Sequence, residues 1–170
     1  MRKILFSICF MVLAGCSEAD LQIEEINFDD ESVAFCGTLS TETELFFKID
    51  GTEALILNLG TGLLRNEASD GTLTSAVPGN SQLTYRIFTD NVAANYFCDD
   101  IPPATPSVLE EITATEGEVR ITTIQDQTDT LRFDHTIELA GVTFVNAAGE
   151  RLTNLTVTDF GTITTFATSQ

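Results

Sequence analysis

The chain has 170 residues, of which 26 are acidic, eight basic and one histidine, for a formal net charge of −18 at pH 7. So acidic a surface repels phosphate backbones and anionic headgroups, which argues against nucleic-acid binding. The length suits one domain with one sizeable core.

Arg2 and Lys3 give a positive start, and Ile4 to Leu13 is an apolar run of ten residues broken only by Ser7. A membrane-crossing helix needs about 20 apolar residues, so this run has the length of a signal-peptide core. It ends in Leu13-Ala14-Gly15-Cys16. That ending resembles the lipobox of bacterial lipoproteins: a Leu, two small residues, then the cysteine that is acylated. The resemblance implies a signal peptide over residues 1–15, cleavage before Cys16, and a lipidated Cys16 as the new N-terminus. One acyl chain holds only marginally, at about 0.8 kcal/mol per buried methylene, whereas several anchor stably. Ser17-Glu18-Ala19-Asp20 follow. A residue other than Asp after the lipidated cysteine is typical of sorting to an outer membrane. The acidic cluster is similar to the surface-export signals of Bacteroidota lipoproteins. The expected organisation is therefore a lipidated cysteine and short acidic tether over 16–20 and a single domain over 21–170. Its location would be the periplasmic face or outer surface of an outer membrane. Loss of Arg2 and Lys3 would leave six basic residues against 26 acids, a net charge of −20.

On this reading the four cysteines sort themselves. Cys9 leaves with the signal peptide and Cys16 takes lipid, so Cys36 and Cys98 remain as a pair in an oxidising setting, where a disulfide is favoured. It would close a loop of 62 residues, worth about 4 kcal/mol in the chain-entropy model. A nucleophilic Cys98 would need a base, and His135 is the only histidine. Two cysteines and one histidine also fall short of a four-ligand structural zinc site.

The elements that follow read as strands. Threonine occurs 25 times, often in pairs such as Thr122-Thr123 and Thr164-Thr165, and no helix-period stripe is present. "LQIEEINFDDESVAFCG" predicts strands near 21–28 and 32–37. "ELFFKIDGTEALILNL" (44–59) predicts a hairpin. Leu45, Phe47 and Ile49 make one stripe, Asp50-Gly51 a type I′ turn, and Leu55, Leu57 and Leu59 a returning stripe. "QLTYRIF" (82–88) alternates Leu83, Tyr85 and Ile87. Pro102, Pro103 and Pro106 make a stiff connector, expected as a crossover between sheets. "LEEITATEGEVRITTI" (109–124) predicts a hairpin turning at Glu116-Gly117. In "TLRFDHTIEL" (130–139), Leu131, Phe133, His135, Ile137 and Leu139 share one face, opposite Arg132, Asp134, Thr136 and Glu138. "LTVTDFGTITTF" (155–166) adds one or two strands. The expected fold is an all-β antiparallel β-sandwich of about nine or ten strands with one disulfide.

Tyr96-Phe97-Cys98 with Ala94 resembles the Tyr-x-Cys of an immunoglobulin F strand. However, no Trp is available to pack on the disulfide, Val92 stands where an acid is expected, and some 70 residues follow Cys98. A shared sandwich device fits better than membership. Over most of its length, in "FFKIDGTEALILNL", "LTYRIFTDNVAANYFC" and "IPPATPSVLEEITATEGEVRITT", the chain is similar to small flavobacterial lipoproteins. That resemblance implies class and location but no activity.

The chemistry is sparse. Asp134 cannot orient His135 as a general base, because adjacent strand residues face opposite ways, and His135 reads as a core or rim residue. The chain carries no G-x-S-x-G, H-E-x-x-H or Walker loop. Paired carboxylates could hydrolyse glycosides, but sugar sites also stack on exposed aromatics, and Tyr85 and Tyr96 sit on an apolar stripe and beside the disulfide. Asp29-Asp30-Glu31, Asp99-Asp100 and Asp126 to Asp129 could hold calcium, although none has EF-hand spacing and solvated turns explain them. Asp129-Thr130-Leu131 resembles the tripeptide that Bacteroidota O-glycosylate, which makes Thr130 a candidate modification site. The expectation is a non-enzymatic, lipid-anchored structural or binding module without a cofactor, its ligand or protein partner unspecified. An envelope hydrolase using paired carboxylates and a calcium-dependent adhesion module are the alternatives.

Overall fold

The computed structural model describes residues 26–152 and 159–168. Within them, runs that alternate apolar and polar residues form strands, because side-chain direction reverses at each residue and one stripe can be buried. Nine strands form one antiparallel sheet: β1 (Ala34–Phe35), β2 (Leu45–Asp50), β3 (Glu53–Asn58), β4 (Leu73–Ala76), β5 (Gln82–Phe88), β6 (Val108–Gln125), β7 (Arg132–Val145), β8 (Arg151–Leu152) and β9 (Asp159–Phe166). The order is β1-β2-β3-β5-β6-β7-β8, with β4 also pairing β6 and β9 also pairing β7. The single helix among the described residues, α1, is short and spans Asn95–Cys98.

β6 makes two layers out of one sheet. Its N-terminal part pairs β5 through residues such as Ile112, and its C-terminal part pairs β4 and β7. The two halves share one core, to which Phe46, Leu57, Leu83 and Tyr85 come from the first and Ile121, Ile137, Phe144, Phe160 and Ile163 from the second. Tyr85 lies 6.3 Å, ring to ring, from both Phe28 and Phe144. Opposite β6, the sandwich is drawn together where β9 meets the segment entering β1. A Cβ at Gly161 would stand 2.4 Å from Val33 Cγ2, so only glycine allows that approach. Fully burying each large apolar side chain contributes about 1.5–3 kcal/mol.

The predicted turn at Glu116-Gly117 is not a turn. β6 runs straight through it, with register shifts on both sides of Glu116. Gly117 takes φ 136° because the strand bulges there as it passes between layers. A Cβ at this position would lie 2.9 Å from Val142 Cα. Replacing Gly117 by alanine is expected to cost about 2 kcal/mol or more, from the forbidden backbone region and this clash together. Urea unfolding of the variant would show it, and a loss below about 0.5 kcal/mol would mean that β6 can pass without the glycine.

Other predicted elements shift in detail. Gly51 and Thr52 form the two-residue turn after the paired Asp50 and Glu53, with positive φ at Gly51 alone. That is the pattern of type II′, not type I′. The two stripes of this hairpin lie on opposite faces of the sheet: Leu55, Leu57 and Leu59 enter the main core, whereas Leu45, Phe47 and Ile49 enter a second one. Residues 21–25 and 155–158 of the predicted strands lie outside the described residues. Residues 26–28 form no strand, although Ile26 and Phe28 are buried. β4 and β8 have no counterpart among the predicted strands.

The prolines are not a crossover. They belong to the connection between β5 and β6, which are neighbours in the sheet. That connection covers the outer face of the first layer, where Phe47, Ala54, Ile56, Phe88 and Val92 form the second core with half-buried Cys36, Tyr96 and Phe97. Phe97 stacks on Phe47 at 4.5 Å, and Tyr96 meets Phe88 edge-on at 4.9 Å. Covered on both faces, β3 carries an unbroken buried run from Ala54 to Leu57. The Cys36–Cys98 disulfide ties α1, and with it this covering segment, to the residue following β1.

Candidate functional site

His135 is fully buried on the inner face of the second layer, and its ring joins two neighbouring strands. Register places Thr123 of β6 directly opposite it and Thr165 of β9 two pairs along, opposite Phe133. Thr165 Oγ1 donates to Asn66 Oδ1 at 2.6 Å, which leaves its lone pairs to accept from His135 Nε2–H at 2.7 Å. Nδ1 is then the acceptor for the Thr123 hydroxyl at 2.8 Å. Burial pushes the histidine below its usual pKa range, with Asp134 opposing, so the ring is neutral at pH 7. Asp134 lies on the other face. There it accepts from Thr164 and Arg132, which together hold its carboxyl below the usual range against partial burial.

The same circuit fixes a loop. Between buried Leu64 and half-buried Leu73 the chain leaves the core, and two side chains tie it back. Asn66 Oδ1 accepts from the Thr165 hydroxyl, and Ser69 pairs with the β6 backbone at Thr123, its N–H donating to Thr123 O and its Oγ accepting from Thr123 N at 3.0 Å each. His135 reaches the Asn66 anchor through Thr165 Oγ1, whereas the Ser69 anchor rests on the Thr123 backbone, opposite His135 in the β6–β7 pairing. Outside this pinned loop lies an open cleft of about 300 Å³, lined by Arg65, Glu67, Ser69, Asp70, Thr72 and Thr123 among others. Arg65 Nε donates to Gly62 O at 2.9 Å, which sets the direction of its guanidinium. A second cleft, of about 360 Å³, lies between residues 41–44 and 60–64, but it carries carboxylates without a cation.

The residues singled out in the sequence scatter. Leu13, Ala14, Gly15 and Cys16 lie outside the described residues. Cys36 and Cys98 are joined, with Cα atoms 5.2 Å apart. Thr130 is exposed in the turn between β6 and β7, not in a strand. In the same turn, Asp126 Oδ1 accepts from the Thr128 hydroxyl and from the amides of Thr128 and Asp129, which lowers its pKa to about 2. That carboxylate is engaged in shaping the turn. Among the described residues no group of three or more histidine, cysteine, aspartate or glutamate side chains is arranged to hold a metal ion.

Lys48 was not foreseen as special. It is buried in β2, where Nζ donates to Phe28 O at 2.8 Å and to Asp159 O at 3.4 Å and lies 5.8 Å from the Phe160 ring centre. It clasps the entering chain to β9. Burial lowers its pKa, opposed by Asp159, Asp29 and Glu31. The sequence signal was a lysine between Phe47 and Ile49 on a strand apolar on both faces.

No known protein family, curated protein or solved structure matches the chain.

Proposed function

We propose that this protein is a lipid-anchored outer-membrane or cell-surface lipoprotein whose β-sandwich is a non-enzymatic binding or structural module. Leu13-Ala14-Gly15-Cys16 after a ten-residue apolar run is the observation that carries the anchor. Nine residues separate Cys16 from buried Ile26, a tether of at most about 35 Å when extended. The domain would then stay close to the lipid surface, held off anionic headgroups by its own charge. Binding is favoured over catalysis because both ring nitrogens of the only histidine are occupied inside the fold. Exposed Thr130 suits the proposed O-glycan.

Metabolic labelling with an alkyne fatty acid in a lipoprotein-processing host tests the anchor. Wild-type chain should take the label and sediment with membranes, and Cys16→Ser should lose both properties. Label retained in Cys16→Ser, or absent from the wild type, would sink the reading. The intact mass of the same material reports any hexose-sized additions, and their persistence in Thr130→Ala would remove the glycan assignment.

A further inference from the structure

The charges of the 65–73 cleft are distributed unlike those elsewhere on the surface. Of the five arginines among the described residues, four pair with carboxylates: Arg86 with Glu111, Arg120 with Glu118, Arg132 with Asp134 and Arg151 with Glu116. Arg65 has no carboxylate partner among the described residues, only the Gly62 carbonyl on Nε, although acids outnumber basic residues 26 to eight. Glu67 and Asp70 line the same cleft and, among the described residues, pair with neither Arg65 nor any other cation. Arg65, Glu67 and Asp70 thus line one small space with no ion pair among them. The loop that carries them is tied to the sheet by Asn66, which accepts from Thr165, and by Ser69, which pairs with the Thr123 backbone, so the charges are presented on an anchored backbone, which cuts the ordering cost of binding.

A simple anion would be drawn to Arg65 but opposed by Glu67, Asp70 and the field of the whole chain, and a simple cation would meet Arg65. A zwitterion avoids both conflicts. It carries no net charge into the field, and it offers a planar carboxylate to the guanidinium fork and an ammonium to the carboxylates. A volume of about 300 Å³ limits the ligand to the small end of the usual range. The Ser69 hydroxyl is engaged with the Thr123 backbone and the Thr72 hydroxyl with Thr122, so recognition rests on the charged groups. We propose that this cleft binds a small α-amino-acid zwitterion, of free amino acid to dipeptide size, with its carboxylate on Arg65 and its ammonium between Glu67 and Asp70. The assignment rests on the binding reading above and gives it a ligand class.

The test is an NMR titration of the full chain in detergent with L-alanyl-L-alanine, its N-acetyl derivative and its C-terminal amide. Dialanine should give saturable shifts confined to residues 65–73 and Thr123. Acetylation and amidation should each weaken binding about tenfold or more, the loss expected for one charge-assisted contact. Arg65→Met should abolish the response, and Arg65→Lys should restore part of it. Arg65 is exposed, so an unchanged melting temperature will show that both variants are folded. Absence of a saturable response to dialanine, equal binding of the blocked peptides, or an undiminished response in Arg65→Met would each overturn the proposal. Cys16→Ser chain should bind dialanine as the wild type does, so a failed anchor and a failed cleft would be told apart.

Discussion

Replacing Cys36 and Cys98 together by serine is expected to lower the unfolding free energy by about 4 kcal/mol. Their bond closes a loop of 62 residues, and freeing a loop of that length returns about this much conformational freedom to the unfolded chain. For a domain of this size the melting temperature should fall by about 12 °C. A further effect would come from the native state. The disulfide is the covalent tie between the covering segment and the strand edge, and that segment shields Phe47, Ile56 and Phe88 through Tyr96 and Phe97. The chain has no tryptophan, and its two tyrosines fall one in each core. Tyr96 therefore reports on the covering segment and Tyr85 on the sandwich. In the double variant the Tyr96 ring signals should broaden or shift while those of Tyr85 hold until global unfolding. A loss below about 1 kcal/mol with Tyr96 unchanged would mean that aromatic packing alone secures the segment.

The fold was legible where burial is one-sided. β5 and β7 each have one covered and one more open face, so Leu83-Tyr85-Ile87 and Phe133-His135-Ile137-Leu139 alternate in the sequence as they do in space. Legibility failed where one residue type serves two geometries. Gly117 supplies positive φ to a bulge as readily as to a turn, and what decides is the approach of Val142, 25 residues away. The cysteine pair could be read by counting because, on the proposed export reading, they have no other use. That they tie down a second core could not, since it needs Phe97 to lie over Phe47 across a distance no local pattern encodes. The cleft was invisible for the same reason. "RNEASDG" has the composition of any surface loop. It is tied down by the Thr165 hydroxyl and the Thr123 backbone, which β9 and β6 bring beside it. His135 was legible as a buried residue, whereas its partners were not.

His135→Ala is the second large loss expected, about 4 kcal/mol by chemical denaturation. It leaves the Thr123 hydroxyl without its acceptor and Thr165 without its donor in a buried site, at about 1–3 kcal/mol per unmet group. It also opens a cavity where the ring stood. The ring gives the protein a pH signature as well. Its folded pKa lies below the unfolded value because burial disfavours the charged form, so below about pH 6.5 the unfolded chain binds the extra proton first. Stability from this group is complete above that pH and is lost as pH falls toward the folded pKa. Asp126 and Asp134 act lower, since their folded values are depressed below the ordinary 3.8 and their contributions fade only as they are protonated. The window between about pH 6.5 and 5 therefore belongs mainly to His135. In the difference between wild type and His135→Asn, which cannot take up that proton, a slope should appear in this window and vanish above it. Parallel curves throughout would mean that the ring titrates as freely as in the unfolded chain, contrary to its place between Thr123 and Thr165. The same substitution removes the donor to Thr165 and so loosens the Asn66 anchor, while the Ser69 anchor, made to the Thr123 backbone, is left in place. The 65–69 amides should then exchange faster with solvent than those of β5, which the circuit does not touch.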